Sequence, residues 1–155
     1  MKMTSSEFKL FCKEEFIRRG FSKVGNMYYL RGENKVSCGL YLQKSNYGKI
    51  YYVNYYFFVE SNLQGDEYPS RYDFDLQGRI HVMSKTLKYK EQCFWSAQIE
   101  YEEYTEEELG EYFENAFENI IFPPIYEGKK YILDYLDDKY FLSLKAEEVM
   151  SKLTS

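Results

Sequence analysis

Ile50-Tyr51-Tyr52-Val53-Asn54-Tyr55-Tyr56-Phe57-Phe58-Val59-Glu60 has no helical period and is dense in aromatic and β-branched residues, so it is expected to form a strand. Taken at period two, one face carries Tyr51, Val53, Tyr55, Phe57 and Val59, and the other Ile50, Tyr52, Asn54, Tyr56 and Phe58. Only Asn54 interrupts two apolar or amphipathic faces. An edge strand would be one-sided, and a strand this apolar left unpaired would aggregate. The reading is therefore a central strand with a helix packed on at least one side.

Upstream, Thr4 and Glu7 have the spacing of a capping box, and Phe8, Phe11, Cys12 and Phe16 follow on one helical stripe. Arg18 and Arg19 sit at the negative end of this helix, and Gly20-Phe21 reads as a C′ glycine with its apolar contact. From Asn26 the period changes to two. Met27 to Leu30 is a short strand, Arg31 to Asn34 a turn, and Val36, Cys38, Leu40 and Leu42 form the core face of a second strand that turns at Ser45 to Gly48 into the central one.

Downstream, Ser61 to Gly78 has neither period and is long for a hairpin loop, which marks it as a binding loop or a packed Ω-loop. Arg79 to Met83 is expected as a short strand, Thr86 to Glu91 as a basic turn, and Trp95, Ala97, Ile99 and Tyr101 as the core face of a further strand. Thr105 and Glu108 make a second capping box. Behind it Leu109, Tyr112, Phe113, Ala116, Phe117 and Ile120 recur at helical spacing until Pro123-Pro124, which are expected to end the helix. Lys130 to Leu136 and Leu144 to Leu153 read as shorter helices. The expectation is one α+β domain over residues 1–155: an antiparallel meander of about five strands, an N-terminal helix, and two or three C-terminal helices packed on the sheet.

At 155 residues the chain can bury a core without disulfides or metals. Cys12, Cys38 and Cys93 are odd in number and far apart, so they read as small core hydrophobes in a reducing, cytoplasmic setting. There is no apolar run of membrane-spanning length and no apolar signal-peptide centre, so no membrane partner is expected.

The net charge of −5 hides a strong asymmetry. Between Lys90 and Lys129 there are eleven glutamates and no Lys, Arg or Asp, so the remainder of the chain carries the difference, +6. Glu107, Glu111, Glu114 and Glu118 fall on one stripe opposite the apolar face of their helix. Like charges at this spacing cost about 0.2–0.5 kcal/mol per pair, and no Lys stands four residues on to offset them. Helix stability does not call for such a stripe. It is either a solvated face, a partner for basic residues elsewhere in the fold, or a docking surface.

Nucleotide-binding glycine patterns and zinc or EF-hand spacings are absent, and no cofactor is expected. His81, the lone histidine, lies among apolar neighbours and reads as structural. Asp73 with Asp75, and Asp134 with Asp137 and Asp138, would suit a hard metal or acid–base work if they converged, and solvated surface if they do not. Tyrosines on a sheet can stack single-stranded bases, yet the broad acidic face would repel phosphate and argues against nucleic acid.

Five short stretches, taken in order, resemble the bacterial family called domain of unknown function 4304. They are Gly20-Phe21-Ser22-Lys23-Val24-Gly25-Asn26-Met27-Tyr28-Tyr29, then Gln43-Lys44-Ser45, Asn54 in the central strand, Arg79-Ile80, and Phe94-Trp95. The resemblance covers most of the chain and implies an α+β fold with a meander sheet. It transfers no catalytic residue.

The leading functional expectation is a small cytoplasmic protein of bacterial or phage type, without catalysis of its own. It would be an immunity or inhibitor protein binding a basic toxin or nuclease through an acidic surface. The candidate binding residues are Glu107, Glu111, Glu114 and Glu118, with Asp66, Glu67, Tyr68, Arg71 and Tyr72 of the long loop. The alternatives are a carboxylate-dependent enzyme, with or without a divalent metal, and single-strand binding on the tyrosine-rich sheet.

Overall fold

In the computed structural model, which describes residues 2–60, 68–142 and 145–155, the quoted stretch is strand β4 (Tyr51–Val59). It is paired on both sides. Strands β1 (Ser22–Val24), β2 (Met27–Leu30), β3 (Val36–Lys44), β4 and β5 (Leu76–Arg79) lie side by side in chain order, every pair antiparallel. Both faces of β4 are covered, but by different things. Tyr51, Val53, Tyr55, Phe57 and Val59 enter the main core beneath the helices, while Tyr56 and Phe58 join Met27 and Tyr29 in a smaller cluster. That second face is covered by the chain at Tyr68 and Phe74 rather than by a helix.

Helix α1 (Ser5–Arg18) begins with the reciprocal capping box, Thr4 accepting from the Glu7 amide and Glu7 from the Thr4 amide. It ends in a Schellman motif: the Phe21 N–H reaches the Phe16 carbonyl, the Gly20 N–H reaches Ile17, and Gly20 holds φ at 98°. Phe8, Phe11, Cys12 and Phe16 are buried as their spacing predicts.

After β5 the structure departs from the sequence reading. The strand expected over Arg79 to Met83 is broken, because Ile80 turns into the core and His81 lies between β5 and β6 (Val82–Tyr89). Thr86 to Tyr89, expected as part of a basic turn, are the second half of β6, which pairs with β7 (Gln92–Ser96) in a separate hairpin. Its exposed polar residues leave no alternating pattern to read. The two-residue turn is at Lys90 and Glu91, both with positive φ (50° and 67°). The expected facing of β7 is reversed as well: Trp95 is 57% exposed while Ser96 is buried. Beyond the hairpin, Ile99 is buried and exchanges both backbone hydrogen bonds with Tyr51 at 3.0 Å.

Helix α2 (Glu106–Ala116) starts with the second capping box, Thr105 with Glu108. Pro123-Pro124 do not stop the helical path. A π-helical turn over Phe117–Ile121 leads into α3 (Phe122–Glu127), whose opening positions the prolines occupy. The prolines donate no N–H, and the carbonyls four residues before them, Asn119 and Ile120, accept instead from Lys139 Nζ at 3.3 Å and the Tyr140 hydroxyl at 2.6 Å. Glu114 and Glu118 are consequently not at a helix end. Gly128, at φ 83°, separates α3 from α4 (Lys129–Asp134), and α5 (Ala146–Thr154) closes the fold.

Aromatic rings join these layers. Phe8 stacks on Tyr51 at 5.1 Å, and Phe16 meets Tyr28, Phe113 and Phe117 at 5.1–6.1 Å. Asp75, buried just before β5, accepts from the Val59 amide at 2.7 Å and pairs with Lys152 of α5 at 2.9 Å. Cys12 and Cys38 are core residues. Cys93, expected to be one, is exposed because it lies toward the Lys90–Glu91 end of the hairpin, where both strands are largely exposed.

Candidate functional site

Gln43, Asn54 and Arg79, which lie in three separate motifs along the chain, meet on the sheet face away from the helices. The β4–β5 register sets Asn54 opposite Arg79, and Gln43 faces Tyr52 across β3 and β4. Asn54, fully buried, donates through Nδ2 to Gln43 Oε1 at 3.1 Å and accepts at Oδ1 from Arg79 Nε at 3.0 Å. Arg79 also donates to Gln43 Oε1 at 3.3 Å, and its guanidinium lies 4.1 Å from the centre of the Tyr52 ring. This cluster fixes the end of β5. The Arg79 carbonyl in turn meets His81 Nδ1 at 2.9 Å. A carbonyl only accepts, so Nδ1 carries a hydrogen, which leaves Nε2 as the ring atom not engaged by this bond.

His81, exposed, opens onto a cavity of about 650 Å³ between the β5–β6 junction, β7, α2 and the chain at 138–141. Trp95, Tyr112 and Phe141 give it aromatic walls, with Trp95 and Tyr112 edge to face at 5.6 Å. The floor is made by Gly78 and Tyr55, Cα partners across β4 and β5. A Cβ at position 78 would collide with the Tyr55 ring and hydroxyl, so glycine is what lets the tyrosine lie across the strand. Tyr55 is only 9% exposed, and among the described residues its hydroxyl has no hydrogen-bond partner. Burial pushes it up to about 12, with a smaller contribution from Cys38, so it is a neutral phenol. A second cavity of about 600 Å³ adjoins the first and shares Gly78, Arg79, His81 and Phe141.

The charged groups around the first cavity divide into committed and uncommitted. Arg79 is held as described, and Lys139 donates to the Tyr131 hydroxyl at 2.9 Å and the Asn119 carbonyl at 3.3 Å. Glu111 and Asp138, also in the wall, make no ion pair among the described residues.

Glu107, Glu111, Glu114 and Glu118 are all exposed along α2 and the π-helical turn, and among the described residues none is paired with a base. Other glutamates are paired. Glu108 meets Lys85 at 2.6 Å, Glu102 meets Lys49 at 2.8 Å, and Glu60 meets Lys129. The loop residues lie elsewhere. Tyr68 packs on Tyr29 at 4.8 Å, and Arg71 lies 4.0 Å from the Tyr41 ring centre and donates to the Tyr72 hydroxyl at 2.7 Å. These belong to the sheet face opposite α2, so stripe and loop do not form one surface. Asp66 and Glu67 lie outside the described residues.

The carboxylate groups do not converge. Asp75 is engaged with Val59 and Lys152, while Asp73 is exposed; α4 ends at Asp134, and Asp137 adopts φ 70°. Among the described residues no set of three or more His, Cys, Asp or Glu could hold a metal ion. The tyrosines of β4 offer no open stacking platform, since Tyr51 and Tyr55 face the helices, Arg79 covers Tyr52, and Phe74 packs on Tyr56. Among the described residues no helix is long and apolar enough to cross a membrane.

The family model for the domain of unknown function 4304 matches residues 12–137, and the chain belongs to that family. Comparison with curated proteins and with solved structures returns no match.

Sequence reasoning found the acidic stripe and missed the cavity beside it. His81, Asp138 and Phe141 come from segments with no period, and nothing in the sequence pairs them. Gly78 was the available signal, as a strand glycine marks a close approach.

Proposed function

We propose that this protein is a cytoplasmic binding module of the immunity or inhibitor type, which holds a basic protein partner, such as a toxin or nuclease, on the acidic face of α2. The observation that carries the reading is the unpaired state of Glu107, Glu111, Glu114 and Glu118, set against the pairing of Glu60, Glu102 and Glu108. Four exposed like charges on one stripe raise the local negative potential, which speeds encounter with a positive surface and disfavours other partners. The chain commits Lys49, Lys85 and Lys129 elsewhere and leaves this stripe for something outside itself.

The test is capture from native lysate with wild type and with Glu107→Lys/Glu114→Lys/Glu118→Lys, followed by titration of the identified partner at two salt concentrations. A basic protein held by wild type, lost by the folded variant and weakened by salt is the expected result. A partner bound equally by both forms sinks the acidic face as the site.

A further inference from the structure

Next to the stripe, Glu111 belongs both to the acidic face and to the wall of the 650 Å³ cavity. The lining cations, Arg79 and Lys139, are already held by protein acceptors. Open to a ligand are the acceptors of Glu111 and Asp138, Nε2 of the His81 ring when neutral, and the unpartnered hydroxyl of Tyr55, a residue nine-tenths buried at the cavity floor, beside two donors, the Trp95 indole N–H and the Asn115 amide. Trp95 and Phe141, 57% and 60% exposed, present ring surface above them.

We propose that this cavity receives an arginine side chain of the basic partner, a proposal that rests on the acidic-face reading and adds the partner's anchoring residue to it. A guanidinium has five N–H donors, no acceptor, and a flat face that stacks on aromatic rings, so it matches a pocket rich in acceptors and walled by Trp95 and Phe141. A lysine ammonium has only three donors around a point charge and no flat face, so it can satisfy fewer of these acceptors at once. The volume lies within the roughly 300–1,000 Å³ of ligand pockets, which leaves room for the backbone on either side of the arginine. Glu111 then marks where the diffuse attraction of the stripe becomes a specific contact.

Trp95 is the single tryptophan of the chain, so its emission reports this cavity alone. The full-length protein is titrated at low ionic strength with capped triarginine, trilysine and tricitrulline peptides, by fluorescence and by calorimetry. The expected result is a saturable Trp95 change with triarginine, weaker binding of trilysine, and no response to tricitrulline. Tyr55→Phe, with a melting temperature no lower than wild type, should weaken triarginine roughly tenfold, the effect of one hydrogen bond to a charged group. No binding, or binding by calorimetry with Trp95 silent, overturns the pocket, as does equal affinity for trilysine or for the Tyr55→Phe protein. These failures leave the acidic face standing if the captured partner is still lost by Glu107→Lys/Glu114→Lys/Glu118→Lys, whose changes lie outside the cavity. Retention of the partner by that variant overturns the acidic face instead.

Discussion

Arg79 Nε donates to Asn54 Oδ1 at 3.0 Å between residues that are Cα partners on adjacent strands. Because Asn54 is fully buried and also donates to Gln43, it is the hub on which the other two depend. Asn54→Ala removes both bonds and leaves the part-buried Arg79 without its inner acceptor, so it should lower stability by about 1–3 kcal/mol. Gln43→Ala, at an exposed end of the cluster, should cost under about 1 kcal/mol. Urea midpoints at unchanged m-value decide between them, and equal costs would remove Asn54 from the hub.

Tyr55 and Gly78 make a second dependent pair. An unpartnered buried hydroxyl is a cost, so Tyr55→Phe should leave stability unchanged or raise it by up to about 1 kcal/mol. Gly78→Ala places a methyl against the Tyr55 ring and should cost about 1–3 kcal/mol. In a Tyr55→Ala background the same change should be close to neutral, because the clash has gone. Thermal melts of the four proteins complete the cycle, and additive effects would contradict the contact.

These pairs mark how far the sequence could be read. Elements whose burial is periodic were legible: α1 and α2 from their stripes and caps, β3 and β4 from their two-residue repeat. The β6–β7 hairpin was not, since its residues are mostly exposed and it is held by cross-strand pairing and a two-residue turn rather than by a core face. The prolines misled because a π-helical turn put them at first-turn positions, which depends on how the helix path continues. The acidic stripe was visible because one helix carries it whole. The cavity was hidden because β4, β5, β7, α2 and the chain at 138–141 each supply only part of its wall, and a sequence does not record which distant segments meet.

Thiol chemistry tests the placement of the hairpin. Burial raises the Cys12 thiol well above its ordinary value, with help from the charge of Glu15, and burial likewise raises Cys38; Cys93 is exposed. A thiol-reactive dye should therefore titrate one group in the native protein and three in denaturant. More than one fast-reacting thiol under native conditions would contradict the burial of Cys12 and Cys38.

The stripe carries a stability signature opposite to that of a structural feature. Glu114 stands three residues from Glu111 and four from Glu118, so each like pair costs about 0.2–0.5 kcal/mol. Glu114→Lys replaces both repulsions by attractions of similar size and should raise stability by about 0.8–2 kcal/mol in low salt, with the gain shrinking as salt is added. A loss of stability would mean that Glu114 has a structural partner and is not held in reserve for binding.

Acid should destabilise the fold through its paired glutamates. At Glu15 partial burial pulls the carboxyl upward, but hydrogen bonds from Arg19 and Arg18 and their charges outweigh it and leave it below the ordinary value. The hydrogen bond from Lys49 lowers Glu102, and that from Lys85, with the Thr105 amide, lowers Glu108. A carboxyl depressed in the folded state stabilises fully above its unfolded value, near 4.3 for glutamate, and that contribution is lost as pH falls through the lowered folded value. Unfolding free energy from urea titrations should therefore be flat in this respect above about pH 5 and fall below about pH 4. Glu15→Gln should flatten the fall at any salt, because Arg19, 7% exposed, shields that pair from solvent. Glu102→Gln should flatten it only at low salt, because the lysines it meets are 71% and 74% exposed and readily screened. An acid limb unchanged in Glu15→Gln would show that the drop comes from other carboxyls. At high pH the sign reverses: burial holds Tyr55 and Tyr104 up to about 12, so stability is complete below about 10 and is lost as pH rises toward 12.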